Sequence, residues 1–447
     1  MSAFGDVLKN ILLFDPGQVY GRIYIVSAYG GVTNWLLEDK KTGAPGVYHH
    51  FIQQKDYSRS MQELTIRLKN LNRNYLELGL DLEAANAYIE QRMADALKYL
   101  EGLSDVLASG YLRAENLFSA AREILASIGE SHSAFNAVNI LQNMGYHATL
   151  VDLSGFNDAE LLTIDKRIQK QFSGIDFSRT ITVVTGYTKG IEGIMREFDR
   201  GYSEVTFSKV AVAVQAAEAI IHKEYHLSSA DPNVVGVDKA VPVGFTNYDV
   251  ADQLADIGME AIHPKAAKPL EINQINLRIK NTFEPGHPGT LITKDYVSQE
   301  KRVEIITGTD KVVVIDIYDP LMVGSVGYDL RVMQDFAAHG ISYIFKATSA
   351  NNISVLIWEK DFSNALMETL KSKYDSVSQW KAAIVCLLGT NIDPTLVLAK
   401  SAQSLEELEI DIWSAGFSLR HVNVQLIIDR QHFREAVRAL NGAFHAY

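Results

Sequence analysis

Val26-Ser27-Ala28-Tyr29-Gly30-Gly31-Val32-Thr33-Asn34 closes the β-rich run Arg22 to Ser27 with a turn of small residues and leads into a helix start. A strand, a glycine turn and a helix start in succession are the grammar of an α/β sheet protein. The glycines let backbone amides approach an anion, and Ser27 and Thr33 add hydroxyl donors, which suits a phosphate or carboxylate ligand. A plain strand-to-helix turn explains the stretch equally well.

The same alternation extends outward. An amphipathic piece, Phe4 to Leu13, precedes the turn, and further strands are predicted at Ala148 to Leu153, at Thr180 to Val184 and around Ile220 and Ile221. Each stands before a glycine-rich or helical stretch, as expected where ligands collect at the carboxyl ends of strands in open sheets. From Tyr57 to Arg122 apolar residues recur at helical spacing (Leu64, Leu68, Leu71; Leu97, Leu100, Leu103) without a proline, which predicts a helical lid or cap. Near Lys301 the units become shorter, in the order strand, helix, strand, strand, helix, strand. Val312–Ile317, Gly327–His339, Ser342–Ala347, Ile353–Trp358 and Asp361–Lys371 form one such unit. Ala382–Leu388, Leu396–Leu408, Ile410–Ala415, Val422–Ile428 and Gln431–Leu440 form a second. This reads as an internal duplication of a ferredoxin-like unit, used for effector binding or for plain dimerisation.

At 447 residues the chain is long enough for two or three domains. Its 47% hydrophobic and 21% charged residues provide a conventional core and exclude wholesale disorder. A net charge of −12 argues against nucleic acid as a partner and leaves room for a local phosphate site. The single cysteine, Cys386, excludes a disulfide framework and a multi-cysteine metal cluster, and its apolar surroundings predict burial. No apolar run approaches the ~20 residues of a membrane span and no signal peptide is evident, so a soluble, cytoplasmic protein without a membrane partner is expected. His49-His50 lack matching ligand spacing and are expected on a surface loop, and no metal site is expected.

No P-loop is present and no GxGxxG opens a helix. Two other stretches stand out. In Phe198-Asp199-Arg200-Gly201-Tyr202-Ser203-Glu204-Val205-Thr206, before an apolar helix expected from Val210 to Ile220, an arginine fork near a helix amino end could clamp a carboxylate with help from Ser203. A solvent-facing Arg200 paired with Asp199 or Glu204 fits the spacing equally. The other stretch is Ser228-Ser229-Ala230-Asp231-Pro232-Asn233 with Lys239, followed by Tyr248, Ile262-His263-Pro264, Asn281-Thr282-Phe283-Glu284-Pro285 and Gly289-Thr290. Singly each is a loop, and a lone histidine such as His263 is more often structural than catalytic.

Together and in this order, with the Gly129-Glu130 pair, these stretches resemble the aspartokinase branch of the amino-acid kinase family over essentially the whole chain. Gly186-Tyr187-Thr188, the Phe198 to Glu204 wording and His222-Lys223-Glu224 look most like the ectoine-associated aspartokinases. The resemblance implies an α/β amino-acid kinase fold, an open sheet sandwiched by helices, over residues 1–300, followed by two ferredoxin-like ACT domains at 301–375 and 376–447. It implies phosphoryl transfer from ATP, with Mg²⁺, to the β-carboxylate of L-aspartate. Arg200 would grip the α-carboxylate and Glu130 the ammonium, with Ser27, Thr33 and Ser203 lining the same pocket. His222, Ser229, Asp231 and Lys239 would hold ATP, although common aspartokinases carry Thr-Asp in place of His222-Lys223 and Gly in place of Tyr202. An amino-acid effector, threonine or lysine, would be lined by Met322, Gly324, Gly327, Ser349 and Asn352, residues that could also be ordinary loop. A homodimer or homotetramer through the ACT domains is expected.

One departure accompanies the resemblance. The family begins with a strand and the motif Lys-x-Gly-Gly-Thr-Ser, and Met1-Ser2-Ala3-Phe4 stands where that motif ends. The first strand and its lysine are then missing, and loss of one preorganised donor can cost ~10²–10³ in rate. A start assigned too far downstream and a true loss of catalysis both fit. Under the second reading the chain is a kinase-like regulatory protein that senses an amino acid. A kinase for glutamate or acetylglutamate is disfavoured by the paired ACT-like units and the helical block.

Overall fold

The computed structural model describes residues 3–39, 41–198, 201–259 and 262–445. They form two compact units. The first comprises Met1–Ala219, Lys265–Ile275 and Thr282–Gly286, and the second Ile220–Pro264, Asn276–Asn281 and His287–Tyr447.

In the first unit β1 (Ile23–Val26), β2 (Ala148–Val151) and β3 (Ile181–Thr185) form a parallel sheet in the order β1-β3-β2. β3 is buried along its whole length, as the central strand of a sheet covered on both faces must be. β1 and β2 lie within the runs predicted from sequence, and β3 is shifted by one residue from the predicted Thr180 to Val184. After β1 comes a short helix, α1 (Val32–Leu36), and then the helical block: α2 (Tyr57–Arg73), α3 (Leu82–Ser109) and α4 (Ala114–Asn143). Asp56 and Asp81 cap α2 and α3 by accepting first-turn amides, and Gly110, at φ +72°, ends α3 in the left-handed conformation that glycine adopts without a Cβ clash. α3 buries Ala85, Ile89, Met93, Ala96 and Leu100 along one stripe. α4 differs: it is buried continuously from Leu125 to Ala134 and packs on all three strands. It is thus a central core helix, and its buried stretch lies beyond the block Tyr57 to Arg122 expected as a lid or cap. Beyond β3 lie α5 (Ile194–Phe198) and α6 (Tyr202–Ala213). α6 begins earlier than the apolar pattern alone indicates, because Gly201 at φ +87° sets the boundary and puts Ser203 and Glu204 in the first turn. His49 and His50 lie on the short helix Val47–Ile52, where a loop was expected.

The second unit holds two sheets. β4 (Glu218–Lys223), β5 (Phe245–Asn247), β6 (Asn276–Asn281) and β7 (Thr290–Thr293) run in the order β4-β6-β7-β5, with β5 parallel and β6 antiparallel to β7. The other sheet has six strands, β8 (Ile305–Tyr318), β9 (Phe345–Thr348), β10 (Asn352–Trp358), β11 (Ser376–Leu388), β12 (Ile412–Phe417) and β13 (Asn423–Asp429), in the order β12-β13-β11-β8-β10-β9. Its helices are α7 (Tyr328–Ala338), α8 (Asn364–Lys373), α9 (Pro394–Glu406) and α10 (Phe433–Phe444).

The two long antiparallel strands β8 and β11 are shared. The first half of β11, from Ser376 to Ala382, pairs with the second half of β8, from Val312 to Tyr318. The second half of β11, from Ile384 to Leu388, pairs with Ile305 to Thr309. Each ferredoxin-like unit therefore takes its fourth strand from the other's first strand, with an irregularity in the ladder between Ala382 and Ile384. Val313, Ile315, Ile317, Val332, Phe336, Ile353, Val355, Leu366 and Leu370 fill one core, and Ala383, Val385, Leu387, Val397, Leu405, Val424, Leu426 and Leu440 fill the other. Cys386 is buried in β11, and burial pushes its thiol well above the usual range.

The junction depends on a glycine. A Cβ on Gly308 would lie 1.9 Å from the carbonyl oxygen of Ile384, a backbone atom that cannot swing aside. Gly308→Ala is expected to cost about 1–3 kcal/mol through overpacking, read as a lower urea midpoint; an unchanged midpoint would show that the ladder relaxes around the methyl group.

Candidate active site

In the first unit the carboxyl end of β1, the middle of α4, the end of β3 and the start of α6 converge. Two glycines permit the approach. A Cβ on Gly129 would meet the Cβ of Ala28 at 2.7 Å, and one on Gly186 would meet Ser203 Oγ at 2.6 Å and the Val26 carbonyl at 2.8 Å. The Gly186 amide donates to the Val26 carbonyl at 2.9 Å, and Ser133 Oγ donates to the Ser27 carbonyl at 2.8 Å, tying α4 to the turn.

Glu130 stands at this convergence. Its side chain is buried, and its Oε2 has no hydrogen-bond partner among the described residues. Burial raises its pKa to about 7, while the side chains of Tyr202 and Ser203 and the backbone at Glu130 and Ala28 draw it partly back. A carboxyl group in this state has an open oxygen and a strong electrostatic demand for a cation once ionised.

Ser27, Thr33, Glu130 and Ser203 all belong to the first unit. Ser27 is exposed at the turn, and Thr33 lies on α1, whose Val32 and Leu36 pack against Gly129. Ser203 sits in the first turn of α6. Arg200, the expected carboxylate clamp, and Asp199 lie outside the described residues.

Glu123, not singled out from sequence, and Tyr187, named there only within Gly186-Tyr187-Thr188, complete the arrangement. Glu123 is seven residues before Glu130 on α4, a spacing of two helical turns that puts both carboxylates on one side of the helix. It accepts the Tyr187 hydroxyl at 2.6 Å and the Met195 and Arg196 amides at 2.8 and 3.3 Å, so it caps α5, the helix that leads to Arg200. The Tyr187 ring packs edge-on against Tyr202, the second residue beyond Arg200. Glu123 thus ties the start of α5, and through Tyr187 the first residue of α6, to α4, and the i, i+7 pair was the available sequence signal.

His222, Ser229, Asp231 and Lys239 belong to the second unit. Asp231 is exposed and caps the helix Pro232–Val235 by accepting the Asn233 amide at 2.8 Å; Lys239 is exposed, and His222 is half-buried on β4. Ser229 is buried and engaged: its amide donates to Val241, its carbonyl accepts from Ile306 and its hydroxyl donates to Asn441. Of the effector residues, Met322 ends the turn Pro320–Met322, Gly324 and Gly327 both take positive φ, and Gly327 precedes α7. Asp319 organises this turn by accepting the Leu321 amide and the Tyr328 hydroxyl, and its own amide donates to Asn351, which brings the Ser349 to Asn352 segment alongside.

Residues 6–281 match the model of the amino acid kinase family. The chain is 41% identical over 451 residues to aspartate kinase Ask_Ect of Stutzerimonas stutzeri (strain A1501), covering 99% of this chain and 95% of that one. The chain belongs to the amino acid kinase family, in its aspartate kinase branch. It is also 27% identical to the chloroplastic aspartokinase 2 of Arabidopsis thaliana, over 98% of this chain and 80% of that one. In fold it matches the aspartate kinase of Clostridium acetobutylicum at a TM-score of 0.74 (20% identity, 99% and 96% coverage). It matches E. coli aspartokinase III, solved with aspartate and ADP, at 0.71 (17% identity, 99% and 97% coverage). The architecture is therefore the amino-acid kinase fold with regulatory ACT-type units, as the resemblance implied. Among the described residues no helix is long and apolar enough to cross a membrane.

The state of Glu130 has a consequence for stability. Its folded pKa lies above the ordinary 4.5, so its favourable contribution is fully present below about 4.5 and is lost as pH rises through about 7. Urea unfolding of the ligand-free protein should show stability falling across that window, with a smaller fall in Glu130→Gln. Identical pH slopes in the two proteins would contradict the assignment.

Proposed function

We propose that this chain is an ATP-dependent L-aspartate 4-kinase, transferring the γ-phosphoryl group to the β-carboxylate of aspartate for the synthesis of aspartate-derived amino acids or ectoine. The observation that carries this reading is Glu130, a buried carboxyl group with an open oxygen at the ends of β1 and β3 in a chain of the aspartate kinase branch. Its ionised form would take the substrate's ammonium group. Arg200 would hold the α-carboxylate, with Ser27, Thr33 and Ser203 as hydroxyl partners and Glu123 and Tyr187 steadying the segment around the arginine.

The chemistry asks little of an acid or base. The nucleophile is a carboxylate with a reference pKa of ~3.9, already ionised at neutral pH, so no group needs to remove a proton. Phosphoryl transfer then rests on positioning and on charge stabilisation. His222, Ser229, Asp231 and Lys239 would serve the nucleotide, with the exposed Asp231 and Lys239 suited to direct contact and the buried Ser229 supporting the loop. Among the described residues no cluster of three or more His, Cys, Asp or Glu could hold a metal by itself. Mg²⁺ would enter with the phosphates of ATP, as this ion commonly does with one or two carboxylates.

The relatives support regulation as well. E. coli aspartokinase III has also been solved with lysine and aspartate, and this chain matches that fold at a TM-score of 0.72 with 17% identity. Here the effector would be threonine or lysine, lined by Met322, Gly324, Gly327, Ser349 and Asn352. We further propose a kinase domain over residues 1–300, ACT domains at 301–375 and 376–447, and a homodimer or homotetramer through the latter.

Aspartyl hydroxamate formation from aspartate, ATP and Mg²⁺ tests the reading. The KM for aspartate should fall as pH rises from 6 to 8 and Glu130 ionises, and Glu130→Gln should raise it about ten- to a hundredfold, the value of a hydrogen bond to a charged group. No product above blank together with no calorimetric heat for aspartate would contradict the proposal, as would an unchanged KM in the variant.

A further inference from the structure

Helices α7 to α10 cover only one face of the six-stranded sheet, the face carrying Ile315, Ile317, Val355, Val385 and Leu426. Because side chains alternate along a strand, the intervening residues line the other face. Phe345, Leu356, Val314 and Trp380 form a row across β9, β10, β8 and β11, each paired with the next. Ser354 and Asp316 are paired beside that row, and Ile427 is paired with Ser414 on the other half of the sheet.

This face is concave. A Cβ on Gly416 would lie 2.6 Å from Phe345 Cε2, so β12 and β9, the two edge strands of the sheet, curl round until they meet. The curl encloses a cavity of about 460 Å³, lined by these residues and Trp413. That volume falls in the range of small-molecule sites, about 300–1,000 Å³.

The lining is chemically selective. Asp316 accepts Ser354 Oγ at 2.5 Å and Asn352 Nδ2 at 2.7 Å, each on a different oxygen, and makes no ion pair among the described residues. An ionised carboxylate accepts about four hydrogen bonds, so it reaches the cavity oriented and with accepting capacity to spare. Trp380, Trp413 and Phe345 line it with aromatic rings, a type of side chain that attracts cations through the ring quadrupole. Trp380 and Trp413 are 48% and 41% exposed, so both rings are open to a molecule arriving from solvent. An anion would be repelled by Asp316, and a neutral apolar molecule would leave that charge unanswered.

We propose that this concavity binds a small organic cation with apolar substituents, of the quaternary ammonium class, its charge facing Asp316 and its alkyl groups against Trp380, Trp413 and Phe345. The cavity lining excludes the effector turn at Met322 to Gly327, although Asn352 of the proposed effector lining donates to Asp316, and the site is independent of the catalytic reading.

Titration calorimetry of the full chain with tetramethylammonium chloride, at ionic strength held constant with sodium chloride, tests it. The expected result is saturable binding, at least tenfold weaker in Asp316→Asn and in Trp413→Ala, and none with the neutral neopentyl alcohol. Trp413 lies outside both cores, so Trp413→Ala keeps the test open if Asp316→Asn fails to fold. Absence of saturable binding, equal affinity in a folded variant, or equal binding of the neutral probe would overturn the proposal. A change in Trp413→Ala confined to the sedimentation coefficient would also overturn it, in favour of contact between copies of the chain.

Discussion

The burial of one carboxyl group governs the reading of this protein. Glu130 sits in the most enclosed stretch of α4, where desolvation makes its ionised form costly and one oxygen is left open. Such a group is a poor contributor to the stability of the empty protein and a good receptor for an ammonium group. Its environment exists because Gly129 and Gly186 lack side chains: a methyl group on Gly129 would push the turn after β1 away from α4, and one on Gly186 would push the start of α6 away from the ends of β1 and β3. The glycines, the turn and the carboxyl group form a single constraint.

A second constraint shapes the carboxyl-terminal half. β8 and β11 are long enough to serve both ferredoxin-like units, so neither unit is complete without residues from the other's first strand. The two cores should therefore melt together, because losing either long strand removes a ladder from both. The same shared strands make the sheet wide enough to curl, and the curl creates the aromatic recess around Asp316.

Much of this was legible in the sequence. The strands at β1, β2 and β3 are short apolar runs bounded by turns, and the two βαββα repeats announce themselves by their period. Ser27, Thr33 and Ser203 stood out by their place at a glycine turn and at helix starts, whereas Glu130 was reached through the resemblance, since nothing in local patterning separates a buried functional glutamate from a surface one. What local patterning missed depends on contacts distant in sequence. The first half of β8, Ile305 to Thr309, was not seen as a strand because a glycine and two threonines interrupt its apolar pattern, and its partner in β11 lies about eighty residues onward. The role of Glu123 was hidden for a similar reason: its partners, Tyr187 and the α5 amides, come from another part of the fold. The central character of α4 was also obscured, because a helix buried on all sides lacks the polar stripe that marks an amphipathic one.

The account turns on a charge that appears only when the substrate arrives. Binding of an ammonium beside Glu130 should lower the pKa of that group and release its proton near pH 7. Calorimetric titration with L-aspartate in buffers of different ionisation enthalpy measures that proton directly. The account predicts net release of a fraction of a proton per bound aspartate near pH 7, vanishing in Glu130→Gln. Aspartate binding with no proton exchange, or with the same exchange in the variant, would contradict it.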